Sequence, residues 1–209
     1  MRLKESFRGS FVAVVVVTAG LLVRPAAGQA QTVVGEAKGV QATTFGLLGG
    51  LLGGTTTTTT VLAGTGTLAG AGDARDASLV TGSIPALVSG EVIDAVTMGW
   101  SDQVTSVASL ANLGMTVGGT GISADFVMSR ATALLGTAGS GSSIISGLQI
   151  NGVPVAVTGA PNQAVAIPGG QVVINEVTAS PAGTTANALH ATVVGVADVV
   201  VASATAGIQ

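Results

Sequence analysis

The sequence predicts an all-β fold: a single antiparallel β-sandwich, jelly-roll-like, preceded by a signal-peptide helix. Three observations predict it. From residue 61 onward apolar and polar residues alternate with a period of mostly two, the repeat of a strand with one buried face. Turn formers, among them Asn151-Gly152, Pro161-Asn162 and Pro168-Gly169-Gly170, recur about every ten residues, as between short antiparallel strands. Aromatics are 2% of the chain and cysteine is absent, so Val, Ile, Leu and Ala must build the core without disulfide support. A parallel β-solenoid is the competing architecture, and the lack of a fixed repeat period argues against it.

Residues 1–30 come first. Arg2, Lys4 and Arg8 precede an apolar run from Phe11 to Val23, and small residues follow in Ala26-Ala27-Gly28-Gln29-Ala30. This is the layout of a secretory signal peptide, and its apolar part is short of the roughly 20 residues that cross a bilayer. Small side chains at the third and first positions before the cut place cleavage after Gly28 or Ala30. The expected location is secreted: extracellular, or loosely associated with the cell envelope. The full chain is formally −3. Residues 1–28 hold Arg2, Lys4, Arg8 and Arg24 against Glu5, a net +3, so their removal leaves −6. The remaining cations, Lys38, Arg75 and Arg130, are too few and scattered to form a basic patch. Nucleic acid is thereby disfavoured as a partner, as is a membrane once the leader is gone.

Residues 31–60 combine an entry strand, Thr32 to Phe45, with a low-complexity segment. Paired glycines in Gly46-Leu47-Leu48-Gly49-Gly50-Leu51-Leu52-Gly53-Gly54 oppose a helix and predict a loop. Thr55 to Thr60 are β-branched and favour a strand at a sheet edge. The main domain spans 61–209, and the entry strand is expected to join its sheet. Ser106 to Leu113 could be read as helical, but Val104, Val107, Met115 and Val117 around it favour a strand. Ile122, Ala124, Phe126 and Met128 share the parity of one strand face, with Ser123, Asp125 and Ser129 on the other. Asn151-Gly152 between apolar runs predicts a hairpin. Two closing strands, near Ala186–Val194 and Val196–Ala204, meet at Gly195.

An ordered set of segments carries a family resemblance. It runs through Ile150-Asn151-Gly152-Val153-Pro154-Val155, Pro161-Asn162-Gln163, Ile167-Pro168-Gly169-Gly170, Val173-Ile174-Asn175-Glu176 and Asn187-Ala188-Leu189-His190 to Ala197-Asp198-Val199-Val200-Val201-Ala202-Ser203-Ala204-Thr205-Ala206-Gly207. This order resembles the choice-of-anchor P family of bacterial exported surface proteins, most clearly from about residue 80 to the end. The resemblance implies an exported, β-rich protein without an assigned activity. Many such chains carry a C-terminal sorting tail. The ending Gly207-Ile208-Gln209 departs from that pattern, and there is no lipobox cysteine, so release or capture by other envelope components is expected.

Candidate chemistry is sparse. His190 is the single histidine, the one imidazole base a hydrolytic triad could use, and it falls on a predicted strand where local bonding is expected. No Gly-x-Ser-x-Gly elbow stands in a strand-turn-helix context. The carboxylate pairs are Asp73 with Asp76 and Glu91 with Asp94; Asp102, Asp125, Glu176 and Asp198 lie farther apart in sequence. Arg75 is a counter-charge within the Asp73–Asp76 turn, which would be the first place to look for calcium. Glu91 and Asp94 have opposite strand parity and are expected on opposite faces, Asp94 with apolar Val92, Val96, Met98 and Trp100. One histidine without cysteine opposes a zinc site. Trp100 alone makes a thin platform for a sugar, and packing at the end of the strand Glu91–Trp100 is expected instead. No residue is therefore assigned a catalytic, cofactor-binding or metal-binding role, and no cofactor is implied. The expected function is that of a non-enzymatic structural or interaction protein of the envelope or extracellular matrix. Its partners would be other envelope or matrix proteins, or copies of itself. The alternative is an extracellular ligand-binding module for glycan or calcium.

Overall fold

The β-branched and small residues that dominate this chain put most of its described residues into strands. The computed structural model describes residues 31–47 and 55–209. The signal peptide predicted at 1–30 and most of the Gly/Leu-rich segment lie outside the described residues. A first hairpin pairs β1 (Val33–Leu47) with β2 (Thr55–Gly64), which carries the threonine run. A four-strand meander follows: β3 (Ala74–Ile84), β4 (Val88–Gly99), β5 (Gln103–Val117) and β6 (Thr120–Leu134). Three short strands come next, β7 (Ser140–Ser146), β8 (Gln149–Ile150) and β9 (Val153–Pro154). Asn151 (φ 51°) and Gly152 (φ 74°) turn the predicted hairpin between the last two, both in the left-handed region that such a turn requires. A second meander, β10 (Gln163–Ile167), β11 (Gly170–Ser180), β12 (Gly183–Val193) and β13 (Ala197–Ile208), closes the chain.

These strands form two antiparallel sheets packed face to face, the predicted sandwich. The first sheet has the order β10-β11-β12-β13-β1-β2, and the second runs β3-β4-β5-β6-β8-β9 with β7 also paired to β6. The entry strand β1 thus lies inside the first sheet, between β13 and β2. Connectivity differs from the jelly-roll-like expectation. Each strand mostly pairs with its sequence neighbour, giving meanders where a jelly roll has Greek keys. Tight turns such as Val194-Gly195-Val196 return each strand beside the one before it, which leaves few connections able to cross between sheets.

Val, Ile, Leu and Ala fill the interior, with Met115. The core falls into two clusters: a larger one around Ile93, Leu110, Val127, Ile174, Leu189 and Val201, and a smaller one around Leu68, Val104, Ala131 and Ala204. Between them lies a layer of buried hydroxyls. Thr97 bonds Ser106 at 2.7 Å, and the Ser106 hydroxyl donates to the backbone carbonyl of Thr205 at 2.6 Å, linking the two sheets. Ser129, in the same layer, has a buried hydroxyl without a bond.

A transverse row of extra residues crosses each sheet. In the second sheet two successive residues turn from the core in each of three strands: Glu91-Val92, Ala111-Asn112 and Asp125-Phe126. In the first sheet two successive residues turn inward at Gly39-Val40, Ile174-Asn175, Ala188-Leu189 and Val201-Ala202. Val92, Asn112, Asn175 and Ala202 have φ of 47°, 50°, 51° and 50°, the left-handed backbone found in bulges. Because neighbouring strands carry these bulges side by side, the register slips only between β4 and β5 and stays in step across β5–β6, β11–β12 and β12–β13. The rows meet across the core, because a Cβ at Gly39 would collide with the Ile93 methyl Cγ2. These bulges correct the expected face of β6. Ile122 and Ala124 point inward as their parity predicts. Past the bulge, Val127, Ser129, Ala131 and Ala133 take over the core side, while Phe126 and Met128 are only half-buried.

Candidate functional site

The densest cluster of polar chemistry lies on the outer face of the first sheet, around His190. The turn at Gly195 sets Thr192 opposite Asp198 across β12 and β13, and His190 lies two residues from Thr192 on the same face. On β11 the extra residue at Asn175 brings Glu176 to that outer face as well. The imidazole is therefore held from both sides. Its Nδ1 lies 2.9 Å from Glu176 Oε2, and its Nε2 lies 3.0 Å from Asp198 Oδ2. Asn187 Nδ2 donates to Glu176 Oε2 at 2.6 Å, and the Thr192 hydroxyl donates to Asp198 Oδ2 at 3.1 Å. The side chains of His190 and Glu176 are each 23% exposed and that of Asp198 is 35% exposed. Partial burial pulls the imidazole pKa down, and the bonds to Asp198 and Glu176 outweigh it, raising the pKa above the ordinary 6.5.

Glu176, His190 and Thr192 have the residue types of an acid–imidazole–hydroxyl line, with 3.3 Å between Thr192 Oγ1 and His190 Nε2. Asp198 changes its chemistry. A second carboxylate on Nε2 favours the imidazolium, which holds no lone pair to take a proton from Thr192. Nor do the two carboxylates converge on a point where one cation could meet them together with a ring nitrogen. Among the described residues no group of three His, Cys, Asp or Glu side chains is placed to hold a metal ion.

The other candidates are scattered. Asp73 Oδ2 accepts the Ala69 N–H at 2.7 Å and Arg75 Nε at 2.9 Å, and these bonds hold its carboxyl below the usual range. Asp76 is on the exposed side of β3, opposite Val96. Glu91 and Asp94 are both exposed on the outer side of β4, which corrects their expected placement on opposite faces, because the extra residue Val92 restores a common side. Asp94 is not on a buried apolar face either: Val92 is 65% exposed and Met98 40%. Asn112 Nδ2 donates to Glu91 Oε2 at 2.8 Å. Asp125 sits on the same bulge row, across from Asn112, and Asp102 lies in the turn between β4 and β5. Trp100 is just past the end of β4 and 45% exposed.

One open groove of about 650 Å³ crosses the outer face of the second sheet. Ser83, Ser89, Thr116, Ser123 and Asn151 line it together with the apolar Pro85, Ala86 and Leu87 of the β3–β4 turn, and Gly114 and Gly121 lie among them. Asn151 Oδ1 accepts the Gly121 N–H at 2.8 Å, which pins the β8–β9 turn against β6 as one wall. The sequence contained these residues without a signal joining them, since they come from four strands and two turns. No protein-family model, curated protein or solved structure matches this chain.

Proposed function

We propose that this chain is an exported, non-enzymatic structural or interaction protein of the cell envelope or extracellular matrix, in line with its resemblance to the choice-of-anchor P family. The observation that carries the reading is the state of His190. The single imidazole of the chain has both nitrogens tied to carboxylates of its own sheet, so it serves to join β11, β12 and β13. The surface of the sandwich is then what remains to act. Saturable co-sedimentation of the purified protein with isolated envelope or matrix material is expected, together with silence in a broad hydrolase screen. An activity in that screen that His190→Ala abolishes would overturn the proposal, and so would absence of saturable binding.

The groove between the β3–β4 and β8–β9 turns favours a second reading, an extracellular ligand-binding module. Its hydroxyl and amide groups, set among the apolar Pro85, Ala86 and Leu87 of the β3–β4 turn, suit the polar edges and apolar faces of a neutral polyhydroxylated ligand such as a glycan. Calcium, the other ligand of this reading, would have to displace Arg75 from Asp73. A glycan array, with melting curves in the presence and absence of calcium, tests it. A flat array and unmoved melting would remove it.

A further inference from the structure

The first sheet ends on one side at β2, and no strand among the described residues covers this edge. Among the described residues β2 is paired only with β1, so one row of its backbone N–H and C=O groups faces outward. Thr56 to Val61 are all exposed. Strand edges are usually protected by charge, proline or shortness. From Thr55 to Gly64 there is neither a charged residue nor a proline. The other edges are protected in these ways. β3 carries Arg75 and Asp76, β10 has five residues between Pro161 and Pro168, and β9 has two, one of them Pro154. β7 leans onto the first sheet, with its Gly141 against Ala186 and Val177.

We infer that β2 pairs antiparallel with β2 of a second copy of this chain, joining two first sheets into one continuous sheet about a two-fold axis. This deepens the interaction reading above and rests on it. The repetition of one residue identifies the partner. A foreign strand added to an edge is chosen through different side chains at alternate positions, and six consecutive threonines offer it nothing to tell apart. A second copy needs no such discrimination, because every antiparallel register about a two-fold axis within the run sets threonine opposite threonine. That pairing is already used inside the sheet, where Thr43 Oγ1 and Thr59 Oγ1 bond across β1 and β2 at 2.9 Å, and Thr185 and Thr205 do the same across β12 and β13. The edge is also uncharged, so it adds no local repulsion to the approach of two acidic molecules.

The absence of cysteine makes the test direct. Directly opposed residues of an antiparallel pair bring their Cβ atoms to about 4.5–5.5 Å, near the span of a disulfide. Single variants Thr56→Cys, Thr57→Cys, Thr58→Cys, Thr59→Cys and Thr60→Cys are oxidised at matched concentration beside Ser78→Cys on the β3 edge. Disulfide-linked dimers are expected from at least one β2 position and none from Ser78→Cys. In sedimentation velocity the purified protein should dimerise, and Thr58→Lys/Thr60→Lys should weaken the dimer at least tenfold. Both threonines are exposed, and circular dichroism of the variant verifies the fold. Cross-linking at β2 no faster than at Ser78→Cys, or a dimer untouched by the lysines, overturns the inference. Envelope binding retained by a monomeric protein would overturn this pairing alone, whereas a cross-linked dimer that binds no envelope or matrix material would overturn the reading above and leave the pairing standing.

Discussion

His190 shows how much one residue depends on its neighbours. Its pKa is raised in the folded protein, so the folded state binds its proton more tightly than the unfolded chain does. The stabilisation is then fully present below the unfolded value near 6.5 and is lost as pH rises through the folded value. The stability gap between the protein and His190→Gln, measured by urea unfolding, should be larger at about pH 5.5 than at about pH 8.5. A gap that widened with pH would mean the carboxylates do not hold an imidazolium. Half of this cluster was legible in the sequence. Gly195 as a turn sets Thr192 opposite Asp198 and puts His190 beside them by parity alone. Glu176 was not legible, because strand parity counted from Val173, the residue opposite His190, sends it to the other face. The extra inward residue at Asn175 reverses that, and asparagine in a strand is only a faint sign of left-handed backbone.

At the scale of the element, the bulge rows decide which side chains each long strand buries. β6 was recognisable as a strand from Ile122 to Arg130, yet Ser129 is buried and Met128 is not, since one extra residue at Asp125-Phe126 exchanges the faces beyond it. Period-two reading fails wherever such a residue intervenes, which is also why Glu91 and Asp94 share a side. The rows carry a cost at Val92. A β-branched residue with φ of 47° is strained by about 1–2 kcal/mol, and at 65% exposure its packing returns little. Asn112 and Asn175 fill the same conformation with a residue that tolerates it. Val92→Asn should therefore stabilise the protein by about 0.5–1 kcal/mol in urea unfolding. A loss of stability would show that Val92 holds contacts worth more than its strain.

For the molecule as a whole, the question is whether a core divided by hydroxyls still acts as one. β5, β6 and β13 each run through both clusters: Val104 and Ala108, Val127 and Ala131, Val201 and Ala204 lie on either side of the layer. None of these three strands can leave one cluster without disturbing the other. Heat should therefore unfold residues 31–209 in a single transition, with equal calorimetric and van't Hoff enthalpies. Two resolved transitions would show that the layer separates cooperative units. The sandwich itself was legible from alternation and turn spacing. The partner of β1 was not, because its pairing with β13 joins segments more than 150 residues apart, and register over such a distance is fixed by packing of the finished sheets.

Trp100, at the turn after β4, has one more consequence. The chain contains a single tryptophan and no tyrosine, so its near-ultraviolet absorption and emission arise almost wholly from one half-exposed indole. Most of the sandwich is optically silent, and the light the protein emits reports on one corner. A contact at that end of the second sheet would change its colour, while an event at β2 would pass unseen. The molecule carries its own local probe, already in place and needing no label.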